Sequence, residues 1–245
     1  MFEPRLALAS LSGKSDAQWV IDAERWTGMA FLGGLALDEE TRNGARRMVA
    51  DRERTEFLPP DPFAFMAEQL GTLADHDVKA GFNVRAAGTE SIRRAAEVCA
   101  GHDAVLEINA HCRQKEMTDL GAGQSLLREP ARLAEQVRIA AEAGATVSVK
   151  VRAEVRDVDL PAVCRVLDSA GADLLHVDAM DAESVVREIV DGTDAFIVAN
   201  NGVRDRETVR EYLGYGADAV SVGRPSDDPR VLERVHGAVT EWNFD

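Results

Sequence analysis

The sequence is poor in lysine, with only Lys14, Lys79, Lys115 and Lys150 in 245 residues, and 28 basic against 43 acidic residues leave a formal net charge of −15. That balance excludes a general polyanion-binding surface. An excess of carboxylates with little lysine suits a cytoplasm of very high salt, where like-charge repulsion is screened over roughly 3 Å at 1 M. A halophilic protein is expected, an ordinary acidic one being the plainer alternative. Cysteine is scarce too: Cys99, Cys112 and Cys164 have no paired metal-binding spacing and are too few for a disulfide framework, so three free thiols and no metal site are expected. No apolar run reaches membrane-spanning length and Met1-Phe2-Glu3-Pro4-Arg5 opens no signal-peptide pattern. A cytoplasmic location with no membrane contact is expected.

What the chain has in quantity is alternation. Apolar runs at Arg5–Leu11, Ala30–Leu37, Val78–Arg85, Ala104–Asn109, Thr146–Arg152, Asp173–Asp178, Ala195–Asn201 and Ala219–Gly223 read as buried strands. Between them lie helical patterns at Ala17–Arg25, Asp38 to about Arg54, Phe63–Ala74, Thr89–Ala100, Ser125–Ala143, Leu160–Ala170, Ala182–Val190 and Asp205–Leu213, with a last one at Pro229–Trp242. Gly144-Ala145, Gly171-Ala172 and Gly216-Ala217 mark helix ends that run straight into strands. Eight strand–helix pairs with no linker predict a single α/β domain over residues 1–245, a (β/α)8 TIM barrel.

In such a barrel, chemistry gathers at the carboxyl ends of the strands. Those ends carry Asn83 and Arg85, then Asn109, His111 and Cys112, then Lys150 and Arg152, then His176 and Asp178, then Asn200-Asn201-Gly202, and last Gly223-Arg224. Singly, most have a bland reading, since a cysteine after an apolar strand or a histidine within one is commonly packed in a core. Lys150 and Arg152 on an internal strand must face the lumen or its mouth and need a partner or ligand there. Small residues at Asn201-Gly202 and Gly223-Arg224, in the loops after the last two strands, sit where barrel enzymes commonly hold a phosphate.

The run from Ile108 to Pro130 resembles the catalytic strand of the tRNA-dihydrouridine synthases, whose motif is Asn-x-Gly-Cys-Pro followed by Gly-x-x-Leu-Leu-x-x-Pro; Asn109, Cys112, Gly123, Leu126, Leu127 and Pro130 match. Lys150 with Arg152 resembles the family's Val-Lys-x-Arg strand, His176 its histidine strand, and Asn201, Gly202, Gly223 and Arg224 its phosphate-binding end. Related pieces occur in other FMN barrels such as dihydroorotate dehydrogenase. The resemblance implies FMN held by Asn83, Lys150, His176, Asn201, Gly202, Gly223 and Arg224, a uracil ring held by Asn109 and Arg152, and Cys112 as the proton donor. NAD(P)H would be a transient electron donor, since no Gly-x-Gly-x-x-Gly follows a strand. The sequence departs from the family pattern at His111-Cys112-Arg113 in place of Gly-Cys-Pro, at Leu8-Ala9-Ser10-Leu11 in the first loop and at Asp178 in place of an arginine, and no counterpart of the family's helical carboxyl-terminal domain is expected. The flavin chemistry therefore carries over better than tRNA as partner. A free pyrimidine is the alternative substrate, and a phosphate-binding barrel without redox chemistry the third reading.

Overall fold

The computed structural model describes residues 1–52 and 54–242. Eight parallel strands, β1 (Leu6–Leu8), β2 (Met29–Ala36), β3 (Lys79–Arg85), β4 (Val105–Asn109), β5 (Thr146–Arg152), β6 (Leu174–Asp178), β7 (Phe196–Asn200) and β8 (Ala219–Val222), pair in sequence order and close with β8 on β1. Around them lie α1 (Ala17–Ala23), α2 (Glu39–Arg52), α3 (Pro62–Thr72), α4 (Thr89–Gly101), the single turn α5 (Lys115–Thr118), α6 (Pro130–Glu142), α7 (Leu160–Ser169), α8 (Val185–Val190), α9 (Arg206–Gly214) and α10 (Pro229–Thr240). This is the (β/α)8 barrel. The expected single domain also takes in Glu53 and residues 243–245, which lie outside the described residues. No helix among the described residues is long and apolar enough to cross a membrane.

Local chemistry sets the element ends. Asp16, Asp61, Asp159, Asp205 and Asp228 cap α1, α3, α7, α9 and α10, each carboxylate accepting a backbone N–H of the first turn. Such a cap contributes about 1 kcal/mol, so part of the carboxylate excess serves the fold itself. Two expectations need correction. The first strand is only Leu6–Leu8, and Ala9 to Ser12 turn into the barrel mouth. The helix expected from Ser125 is a 3-10 turn, Gly123–Arg128, followed by α6 from Pro130. Proline lacks an N–H and disfavours helical backbone in the residue before it; Glu129 sits at φ −124°, ψ 59°, so one helix cannot run through.

The side chains inside the barrel fall into two levels. At the amino ends of the strands, Phe2, Ala7, Met29, Phe31, Val105, Leu174, Val198 and Ala219 form an apolar floor. Two residues further along the same faces stand Glu107 on β4, His176 on β6, Asn200 on β7 and Ser221 on β8, and beside them on β5 are Ser148, in register with Glu107, and Lys150, in register with His176. A period of two along each strand carries the interior from apolar to polar within one step. The larger core lies outside the strands, between barrel and helices, and includes Leu32, Phe82, Leu106, Val149 and Val177.

Candidate active site

A cavity of about 800 Å³ opens at the carboxyl ends of the strands, within the range of small-ligand sites. Asn109, Cys112, Lys150, Arg152, Asn201, Gly202, Gly223 and Arg224 line it together, as the sequence predicts. Asn83 and His176 do not line it. Both are fully buried beneath it, which removes them from direct contact with a ligand in the mouth. His176 Nδ1 lies 2.7 Å from Glu107 Oε2 and its Nε2 2.7 Å from Ser221 Oγ, while Asn83 donates to Glu107 Oε1 at 2.7 Å. Ser148 also donates to the Glu107 carboxylate at 3.2 Å, Asn200 donates to Ser221 Oγ at 2.7 Å, and Phe31 stacks on the His176 ring. Burial opposes ionisation of Glu107, but His176, Lys150 and Asn83 outweigh it and hold the carboxyl below its usual range. Burial, then the Lys150 charge, pushes His176 down despite Glu107. The pair is therefore a carboxylate with a neutral imidazole, every polar atom of it matched.

The sequence reading passed over Glu107. The signal was present: a carboxylate in the middle of Ala104–Asn109, an apolar run on an internal strand, has to be paired.

The network also sets the loop that carries the cysteine. Asn109 Nδ2 donates to Asn83 Oδ1 at 2.9 Å, and Asn109 Oδ1 accepts from the backbone N–H groups of His111 at 3.2 Å and Cys112 at 2.9 Å. Asn109 thereby shapes the turn after β4, and it lines the cavity as well. The far side of the loop is closed by Gly123. It adopts φ +64°, and a Cβ there would lie 2.3 Å from the Cys112 carbonyl oxygen, which accepts from Gln124 N–H at 2.9 Å. Only glycine lets the two backbones approach this closely.

Cys112 is partly exposed to the cavity and packs with Met117, Met48 and Ala36 on its other side. The residues flanking it in sequence also line the cavity. Arg113 is exposed, and His111 turns its Nδ1 to Asp178 Oδ2 at 3.2 Å. The cation that acts on the thiol from another strand is Arg85 of β3, within electrostatic range of Cys112. Arg85 is itself fixed by the Glu56 carboxylate and the Gly34 carbonyl. The β2–β3 register slips between Gly33 and Leu35, with Gly33 and Gly34 both at positive φ, and this bulge presents the carbonyl to the guanidinium. Cys99 and Cys164 are core thiols; burial pushes Cys99 up and Cys164 up to about 12.

Lys150, 2% exposed, makes no side-chain hydrogen bond among the described residues; burial lowers its pKa, and the Glu107 and Asp178 carboxylates resist that. Asp178 also accepts from Asn201 Nδ2 at 2.7 Å. Burial would raise its pKa, but the His111 and Asn201 bonds and the Lys150 charge pull it well below the carboxylate range. The wider rim is basic despite the acidity of the whole chain. Lys14, Arg54, Arg85, Arg113, Lys150, Arg152, Arg204 and Arg224 line the cavity against two carboxylates, Asp178 and Asp227. Field lines of one sign focused in a cleft concentrate an anionic ligand.

A profile described as dihydrouridine synthase (Dus) matches residues 83–243. The chain belongs to the dihydrouridine synthase family. An uncharacterised protein of Methanocaldococcus jannaschii is 27% identical over 235 residues, 91% of this chain and 89% of that relative. Among solved structures, the barrel is similar to morphinone reductase in complex with tetrahydroNAD (TM-score 0.66, 14% identity, 96% of this chain and 87% of that one). It is also similar to tryptophan synthase from Pyrococcus furiosus (0.61, 13%, 98% and 98%) and to a FabK variant from Thermotoga maritima (0.61, 13%), of which 96% of this chain spans 64%. At these identities the structural likeness is one of fold.

Within the dihydrouridine synthase family pattern, five of the six matched residues of the β4 segment have a structural task. Asn109 ties down the turn, Gly123 admits the close approach, Leu126 and Leu127 are buried in the core, and Pro130 starts α6.

Proposed function

We propose that this member of the dihydrouridine synthase family is an FMN-dependent reductase of a uracil ring, with Cys112 as proton donor. The observation that carries the reading is the convergence of Cys112 and the unpaired, buried Lys150 on one basic cavity. The residues fit the cofactor: the cavity has room for it, Gly202 and Gly223 leave open space in the loops after β7 and β8, and Arg204 and Arg224 stand at that end for its phosphate. Bound FMN supplies the hydride that adds to one carbon of the ring's double bond. Lys150 would hold an electron-rich edge of the bound group, since an ammonium in a dry site without a partner of its own is worth more there than in water. Arg152 donates weakly to the Ala153 carbonyl at 3.5 Å and keeps the rest of its guanidinium for a ligand. Cys112 delivers a proton to the second carbon of the ring. NAD(P)H would reduce the flavin as a visiting donor.

The basic rim supports uridine in tRNA as the substrate, and the −15 charge of the chain as a whole favours the second reading, a free pyrimidine nucleotide. The purified protein should release FMN on denaturation, and Lys150→Ala should weaken its retention or slow its reduction. Colourless, folded protein that cannot be reconstituted with FMN would overturn the reductase reading. Loss of dihydrouridine from the tRNA of a deletion strain selects the first substrate, and unchanged tRNA selects the second.

A further inference from the structure

Two histidines in the barrel hold a carboxylate through Nδ1, and they differ at the other nitrogen. His176 gives its Nε2 to Ser221 and is fully buried. His111 is 30% exposed at the side chain and lines the cavity, and its Nε2 makes no hydrogen bond among the described residues. The groups facing its ring are Asp178 and His176 on β6, Lys150 on β5 and Glu107 on β4. An ionised carboxylate only accepts, so Asp178 places the ring proton on Nδ1. Burial, with the Lys150 charge beside it, keeps the ring neutral against the pull of Asp178. What remains at Nε2 is a lone pair with no partner among the described residues, on a ring that lines the cavity together with Cys112 and Lys150.

We propose that His111, positioned by Asp178, is a specificity-determining residue whose Nε2 accepts a hydrogen bond from a ring N–H of the substrate, selecting an imide such as uracil over a ring with a bare nitrogen at that place, such as cytosine. This rests on the pyrimidine reading above and deepens it. A site with a fixed acceptor rejects a ligand that presents a second acceptor, because neither lone pair is then satisfied. Asp178 is a positioning residue with a testable signature. Asn201 Nδ2 already donates to one oxygen of Asp178. In Asp178→Asn, the introduced amide would keep its oxygen toward Asn201 and turn its NH₂ to His111 Nδ1, which would then accept, and the ring proton would move to Nε2.

The test uses FMN-loaded protein, titrated calorimetrically with uridine 5′-monophosphate, its N3-methyl derivative and cytidine 5′-monophosphate, together with ¹⁵N spectra of the histidine rings assigned by the loss of one signal set in His111→Gln. Uridine monophosphate should bind at least about tenfold more tightly than the other two, the preference should collapse in His111→Ala, and the His111 signals should change from the Nδ1–H to the Nε2–H tautomer in Asp178→Asn. Equal binding of the uridine and cytidine nucleotides, or a wild-type His111 found as the Nε2–H or the cationic form at neutral pH, overturns the inference alone. No binding of any of the three overturns the pyrimidine reading and the inference with it.

Discussion

The Glu107–His176 and Asp178–His111 pairs use the same contact, Nδ1 against a carboxylate oxygen, at 2.7 Å and 3.2 Å. One is closed and the other open. Glu107 and His176 side chains are both 0% exposed and share Asn83, Ser148 and Ser221 as partners, whereas Asp178 and His111 are 7% and 30% exposed and leave one ring nitrogen to the cavity. Two residues of strand separate Glu107 from Asn109 and His176 from Asp178, and that step divides groups closed beneath the cavity from groups that line it. Identical chemistry therefore has a structural consequence in one place and a functional one in the other.

The strongest way to break the comparison is Glu107→Ala. It leaves Asn83, Ser148 and His176 buried without their acceptor and removes the counter-charge nearest Lys150. Removing one partner of a buried pair costs about 3–5 kcal/mol, which in a chain of this size corresponds to a fall in Tm of about 10 °C. A thermal melt within about 2 °C of the wild type would show that the closed pair is not structural. The open pair should respond less, because in Asp178→Asn the amide can still bond both Asn201 and His111, and its fall in Tm should be smaller than that of Glu107→Ala.

Cys112→Ala comes next. A lost general acid lowers the rate by roughly 10²-fold or more, and in the proposed scheme only the half-reaction from reduced flavin to substrate should show it. Flavin content, reduction by the donor and Tm should stay near wild type, because Cys112 touches the Met48 and Met117 cluster from one side only. Stopped-flow traces of the two half-reactions separate the outcomes. An unaltered second half-reaction makes Cys112 a packing residue.

Acid should expose the closed pair first. Glu107 and Asp178 have folded pKa values below their unfolded ones, so their stabilisation is present above about pH 4 and is lost as pH falls through the folded values. His176 has its folded pKa lowered too; its unfolded form takes up a proton from about pH 6.5 downward while the folded ring resists. All three act in one direction: stability should fall between pH 7 and pH 4 through His176, and further below about pH 4 through Glu107 and Asp178. His176→Asn should flatten the upper part of that slope in equilibrium unfolding, and an unchanged slope would show that the ring titrates alike in both states.

The alternation of strands and helices was legible because each strand is buried on both faces and reads as an apolar run. Depth was not. Asn83 and Asn109 both close apolar runs, and His176 and Lys150 both interrupt one, yet only Asn109 and Lys150 reach the cavity. Depth depends on how neighbouring strands are staggered around the barrel, which no single strand encodes. Arg85 as the partner of Cys112 was hidden for the same reason, since it comes from a strand 27 positions earlier through a bulge set by Gly33 and Gly34. Glu56, which fixes Arg85, lies in a stretch with no periodicity to mark it.

Salt should produce the smallest effect, and it sharpens the contrast between buried and exposed charge. Exposed pairs such as Arg93 with Glu90 and Lys115 with Asp119 contribute little, being solvated and screened, but the 15-charge excess of carboxylates repels itself over the whole chain. Raising potassium chloride from 0.1 M to 1 M shortens the screening length from about 10 Å to about 3 Å, so the wild-type Tm should rise by a few degrees. The closed pair has no solvent around it to carry the screening ions, and Glu107→Gln should show the same increment from a lower starting point. At the mouth the sign reverses: the basic rim attracts anions through the same screened field, and binding of inorganic phosphate should weaken over the same range. Equal melting temperatures at both salt concentrations would remove the halophilic reading and leave the capping aspartates as the part of the carboxylate excess with a structural task.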